Sequence, residues 1–260
     1  AHFPELQASL PAAVAAPVPV ATAQVPTRWL VAPAGRPAPA SAVAEPVAII
    51  GMAGQFPQAG DLEALWDNLR QGRDSVTELP ADRWDMARYH DPQPGRLGKS
   101  ASKWGGFIEG IDRFDSLLFN ISPRDAQGLD PQVRLFLQTV WTLVESSGHT
   151  RESLRRRHEG RVGVYVGAMA QPTQPADNGD QITAALSAAS AIANRVSHFF
   201  NFQGPSFAVD TMCSSAMQAL HLACRDLQSG ECELAVAGGV CLLLSPQKYV
   251  GMSQARLYGS

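Results

Sequence analysis

The sequence predicts an α/β fold built on a largely parallel central sheet. Three observations carry that reading. Apolar runs of strand length recur at residues 161–167 (RVGVYVG), 206–211 (SFAVDT) and 233–244. Longer segments with helical spacing separate them, and strands that alternate with helices imply parallel crossovers. Hydrophobic residues make up 45% of the 260 and charged residues 17%, enough apolar material for a sizeable core.

Residues 1–45 differ from the rest, with 14 Ala, 8 Pro and four charged residues. Proline at that density removes backbone donors and favours extended chain, so the segment reads as an interdomain linker or a tail without a specific role. A folded domain is expected over residues 46–260. Its first element is a buried strand at residues 47–50 (VAII), followed by a turn at Gly51-Met52-Ala53-Gly54. Asp61 can cap a helix whose Leu62, Leu65, Trp66 and Leu69 share one face. Residues 74–121 are rich in Gly, Pro, Asp and Trp and predict an irregular surface excursion. Asp130-Pro131 is a helix start, a capping side chain followed by a proline already at helical φ. Val133, Phe136, Leu137, Val140, Trp141 and Val144 mark that helix, which stops near Gly148. A further helix is expected over residues 181–199, with Ile182, Leu186, Ala189, Ile192, Ala193 and Val196 inward. Another runs over residues 214–229 to Gly230, and residues 233–244 hold a strand or a pair of strands.

The formal net charge of −3, with a pI near 6.1, gives no general attraction to polyanions, so nucleic-acid binding is not expected. No uncharged apolar run approaches the roughly 20 residues needed to span a bilayer, and the N-terminus lacks the cationic and apolar segments of a signal peptide. The absence of an initiator Met suggests a piece of a longer polypeptide. Cys213, Cys224, Cys232 and Cys241 are spaced 11, 8 and 9 residues apart with no C-x-x-C pair, so neither a zinc site nor a disulfide framework is expected. They read as reduced thiols of a cytoplasmic protein. Residues 94–100 (PGRLGKS) only superficially suggest a phosphate loop, because Gln93 stands where that motif needs glycine and no strand–helix context flanks it. The cluster Arg151, Arg155, Arg156, Arg157 and Arg161 fits a solvated helix end or a landing patch for an acidic partner.

The informative region is residues 209–217 (VDTMCSSAM). An apolar strand enters it, and the helix leaving it has no charged residue until Arg225, so that helix is expected to be covered on several faces. Cys213 then sits at a buried helix start on a sharp strand-to-helix turn. Unsatisfied N–H groups and the positive helix end at such a position favour a thiolate, the nucleophilic form, and can stabilise an oxyanion. Cys224, Cys232 and Cys241 read instead as small buried hydrophobes. A nucleophilic cysteine usually needs a base, but His221 lies eight residues along the helix, about 12 Å of rise and roughly 80° of rotation away. His198 could approach only through tertiary contacts. His2, His90, His149 and His158 fall in the tether or in loops.

Together these segments resemble the ketosynthase (β-ketoacyl synthase) domain of modular type I polyketide synthases, in the thiolase superfamily. The resemblance runs from about Glu45 to Ser260. It is carried by EPVAIIGMAGQFP from Glu45, GKSASKWGGF from Gly98, FDSLLFNISPRDAQGLDPQVR from Phe114, ANRVSHFFNFQGPS from Ala193 and VDTMCSS from Val209. It implies an αβαβα thiolase-like fold of two similar halves, of which this chain covers about the first. It also implies that Cys213 is the acyl-accepting nucleophile. An acyl carrier protein delivers the acyl chain on phosphopantetheine, and a malonyl-type extender condenses with it after decarboxylation. No cofactor is expected on the domain itself.

Met212, Ala216 and Asn120 depart from the common Ala, Ser and Gly of the family. The family's two catalytic histidines lie in a C-terminal half, in His-Gly-Thr and Asn-x-Gly-His segments that do not occur before Ser260. The resemblance therefore implies a requirement for that half, and a homodimer. The alternative reading is a non-condensing ketosynthase-like domain that transfers acyl groups, docks carriers or serves as a dimerisation scaffold.

Overall fold

A computed structural model describes residues 45–169 and 188–257. Within them lie helices α1 (Leu62–Arg70), α2 (Pro123–Gly128), α3 (Pro131–Ser146), α4 (Arg151–His158), α5 (Ala189–Phe200), α6 (Ser215–Ser229) and α7 (Pro246–Gln254). The strands are β1 (Thr77–Glu78), β2 (Trp104–Gly105), β3 (Val162–Gly167), β4 (Ser206–Val209) and β5 (Leu234–Gly239). The tether expected over residues 1–45, and the Ile182 and Leu186 positions of the expected helix over residues 181–199, lie outside the described residues apart from Glu45. Within them α5 begins at Ala189.

The central sheet has the order β4-β3-β5 and all its strands are parallel, as the alternation of strands and helices predicted. β3 occupies the middle and is buried along its whole length. Alternation along β3 divides the core. Val162, Val164 and Val166 face α3 and α5, where Val133, Phe136, Leu137, Val140, Ile192, Ala193 and Val196 complete one apolar layer. Tyr165 faces the other way, with Ala219 and Ala223 of α6 and with Phe207, Ala235 and Ala237 packed around them. The result is helix, sheet, helix.

The helix starts follow their sequence signals. Asp130 caps α3 by accepting from the Gln132 N–H at 2.7 Å, and Asp61 caps α1 by accepting from the Ala64 N–H at 2.8 Å. Residues 74–121 hold only the short antiparallel pair β1–β2 and a 3-10 turn at Met86–Arg88, as expected for an irregular excursion.

One expectation is corrected and three are completed. Residues 47–50 are not a buried strand: they pair with no strand among the described residues, and Ile49 and Ile50 are 77% and 57% exposed. An apolar run encodes extended chain, but neighbours supply its burial. β5 likewise has no described strand on its outer edge, and a cavity of about 500 Å³ lies between residues 53–57 and the β5 region. Second, the apolar face of α1 is only half covered, since Trp66 and Leu69 stand exposed. Third, of the strand or pair of strands expected over residues 233–244, the structure has one strand, ending at Gly239. Fourth, α2 and α7 were not anticipated. α7 is held by buried Tyr249, whose hydroxyl donates to the Trp104 carbonyl at 3.0 Å, a contact 145 residues apart that no local pattern records.

Candidate active site

β4 ends at Val209, and α6 begins six residues later at Ser215. That reversal is made by short polar side chains and one unusual backbone angle. The Met212 N–H donates to Asp210 Oδ1 at 3.0 Å, and the Thr211 N–H donates to Ser215 Oγ at 2.9 Å. The Ser215 hydroxyl in turn donates to the Met212 carbonyl at 2.6 Å, while Ser214 Oγ lies 2.9 Å from the Thr211 carbonyl. Met212 itself adopts φ +58°, the left-handed region that costs an L-residue roughly 1 kcal/mol or more. Asp210, Thr211, Ser214 and Ser215 thus hold the turn that carries Cys213. The sequence reading missed these roles, although Asp, Thr and Ser flanking a strand end are the residues that build such local bonds.

Cys213 occupies the middle of a 3-10 turn, Met212–Ser214, and is exposed. It was expected directly ahead of a helix over residues 214–229, and it stands two residues before α6, with the N-cap Ser214 between. α6 has no side-chain cap at its start, so its first-turn N–H groups lack a side-chain acceptor beside the cysteine. The parallel strands all end on this side of the sheet, where open α/β sheets bind ligands.

The expectation that α6 is covered on several faces is corrected. Only Ser215, Ala219 and Ala223 are buried, against β3 and β5, whereas Met212, Met217 and Leu220 are 61%, 69% and 45% exposed. The lack of charge in the sequence marked a helix without a polar face. It did not say what covers the second apolar face. His221 and His198 are both exposed, and among the described residues no histidine hydrogen-bonds Cys213.

Residues 44–260 match the family described as beta-ketoacyl synthase, N-terminal domain. The chain belongs to that family. It is 53% identical over 227 residues to polyketide synthase ThaG of Burkholderia thailandensis, covering 86% of this chain and 4% of that protein. It is 49% identical over 224 residues to polyketide synthase PksL of Bacillus subtilis, covering 83% and 5%. Among solved structures it superposes on an oxazolomycin ketosynthase domain of Streptomyces albus with a TM-score of 0.73 at 45% identity, covering 80% of this chain and 36% of the other. The module 6 ketosynthase of the bacillaene synthase of Bacillus subtilis gives 0.70 at 36% identity, covering 80% and 34%. The chain therefore spans about a third of those ketosynthase domains and a twentieth or less of the curated relatives. The fold is the N-terminal portion of a thiolase-like ketosynthase.

In this ketosynthase chain the other thiols divide. Cys232 is buried at 2% exposure, and burial pushes its thiol up from the ordinary range. Cys224 is half-buried. Cys241 is exposed, not buried as expected, with Lys248 Nζ 3.2 Å from its Sγ. It lies just past β5, where the strand has already ended. The arginine cluster also separates. Arg151 stacks 4.4 Å over the Phe199 ring, Arg161 reaches Glu233 and the Gly230 carbonyl, and Arg155, Arg156 and Arg157 stand exposed in the last turn of α4. α4 precedes the start of β3, so these arginines and Cys213 lie at opposite ends of the sheet. In the loop over residues 94–100, Lys99 donates to the Arg88 carbonyl, and no helix follows.

Proposed function

We propose that this chain is the nucleophile-bearing half of a polyketide-synthase condensing enzyme, with Cys213 as the acyl acceptor. The observation that carries the reading is an exposed thiol on a side-chain-stapled turn, directly before an uncapped 15-residue helix at the carboxyl ends of parallel strands. Sγ attacks the thioester carbonyl of an acyl group delivered on the phosphopantetheine arm of an acyl carrier protein. A carbon–sulfur bond to Cys213 forms, the bond to the carrier sulfur breaks, and the cysteine proton leaves with the carrier thiol. Decarboxylation of a carrier-bound malonyl extender then releases CO₂ and leaves an enolate carbon. That carbon attacks the acyl-cysteine, a carbon–carbon bond forms, and Cys213 is released. Splitting the reaction in two is covalent catalysis.

The exposed apolar side chains Met212, Met217, Leu220, Ile49 and Ile50 support a C-terminal half that covers them and supplies the condensing histidines. Among the described residues no strand pairs with the outer edge of β4, which supports a homodimer formed beside the nucleophile. Residues 1–45 act as the tether between assembly-line domains, and four free thiols fit a reducing cytoplasm. No cofactor is held by the domain.

The test is loading of the full-length protein from an acyl thioester, read by intact mass. Cys213→Ala abolishes the acyl adduct and Cys224→Ala retains it. Equal loading in wild type and Cys213→Ala overturns the assignment. Loading without β-ketoacyl product from a malonyl carrier assigns the domain to acyl transfer or carrier docking alone.

A further inference from the structure

Two glycines at the ends of adjacent strands touch the first turn of α6. A Cβ placed on Gly167, the last residue of β3, would stand 2.3 Å from the Ala216 backbone nitrogen and 2.5 Å from both Ala216 Cα and the Ser215 carbonyl carbon. A Cβ on Gly239, the last residue of β5, would stand 2.9 Å from Ala216 Cβ and 3.3 Å from the Gly167 carbonyl oxygen. Gly167 and Gly239 pair with each other across the sheet, so the two form one platform. Contacts below 3 Å do not occur between real carbon atoms, so side chains there force α6 away from the sheet. The two clashes also differ in kind. Gly167 meets main chain, which cannot rotate aside, whereas Gly239 meets a single methyl group.

Cys213 is three residues before Ala216, and Ser215 bonds back to the Met212 carbonyl and the Thr211 N–H. The helix start and the cysteine turn are therefore one mechanical unit. We infer that Gly167 and Gly239 are positioning residues, a side-chain-free seat that fixes the height of the α6 start above the strand ends and so the place of the Cys213 sulfur. The inference rests on Cys213 being the acyl acceptor. Neither glycine touches the substrate. Each acts through Ala216, and neither has the positive φ that would explain glycine by backbone conformation.

The test uses the full-length protein and separates rate from amplitude in acyl loading at Cys213, alongside alkylation of Cys213 by iodoacetamide. Gly239→Ala is expected to slow loading about 100-fold, the cost of a misplacement near 1 Å, with the loadable fraction unchanged. Combining it with Ala216→Gly removes the opposing methyl and restores the rate to about that of Ala216→Gly alone. Gly167→Ala is not rescued by Ala216→Gly, because its clash is with backbone. A drop in loadable fraction at constant rate, or failure of Ala216→Gly to rescue Gly239→Ala, overturns the positioning role. If wild type takes up no acyl group, the acyl-acceptor reading falls instead. The iodoacetamide rates then decide the glycines, since an unchanged Cys213 rate in Gly239→Ala overturns them too.

Discussion

The Tyr165 hydroxyl donates to Asp226 Oδ2 at 2.6 Å, tying the middle strand of the sheet to the last turns of α6. Tyr165 is fully buried, and its ring packs edge-on against Phe207 at 5.2 Å. Burial holds its phenol far above the ordinary value, so the hydroxyl remains a donor at every working pH. The helix that carries the cysteine turn at one end is thus anchored by a polar bond near the other.

Tyr165→Phe keeps the ring and removes the donor. It is expected to cost about 1–2 kcal/mol in urea unfolding, because Asp226 loses its partner in a partly buried setting. A loss below a few tenths of a kcal/mol would mean that water replaces the hydroxyl without penalty.

Asp130 is a buried cap whose two tasks oppose each other. Burial raises its carboxyl above the ordinary value of 3.8, while the Gln132 N–H and Arg134 pull it down. A raised folded pKa means that the ionised form is disfavoured in the fold. The penalty is absent below pH 3.8, grows as pH rises through the interval up to the raised value, and stays constant above it. Asp130→Asn keeps an oxygen for the cap and removes that charge. Its stability relative to wild type should therefore improve across that interval, followed by thermal unfolding at a series of pH values. Asp130→Ala loses the cap and is destabilised by about 1 kcal/mol below that interval, a deficit that narrows as pH rises through it. Identical pH profiles for wild type and Asp130→Asn would contradict the burial argument.

Exposure sorts the cysteines into reactive and protected. In the native protein, brief iodoacetamide treatment is expected to label Cys213 and Cys241 and to leave Cys232 unmodified until the chain unfolds. Peptide mass spectrometry reads the result. Early labelling of Cys232 would show that the packing between β3 and α6 opens readily.

Met212 holds the left-handed angle next to Cys213, a conformation that β-branched residues resist most. Met212→Ile is expected to lower stability by about 1–2 kcal/mol and to slow Cys213 loading. Met212→Gly should fold at least as well as wild type, since glycine adopts that angle freely. A Met212→Ile variant as stable as wild type would mean that the turn relaxes without cost.

Local chemistry made much of this molecule legible in the sequence. Asp130-Pro131 starts α3, Gly230 closes α6 with φ +79°, and the apolar spacing of residues 133–144 matches the buried face of α3. Each depends on residues within a turn or two of one another. The cysteine turn was located for the same reason, since a strand period gives way to a helix period at Cys213.

By itself, then, the sequence determined the strands β3, β4 and β5, the helices α1, α3, α5 and α6 in their order, and the residue at the strand-to-helix turn, because backbone propensity, capping and periodicity act over a few residues. Only the tertiary structure decided that residues 47–50 and one face of α6 stand exposed, that Cys241 meets Lys248, and that Gly167 and Gly239 lie under Ala216. Those facts depend on what packs beside a segment across scores of residues of chain, and a run of apolar or glycine residues carries no record of its neighbour.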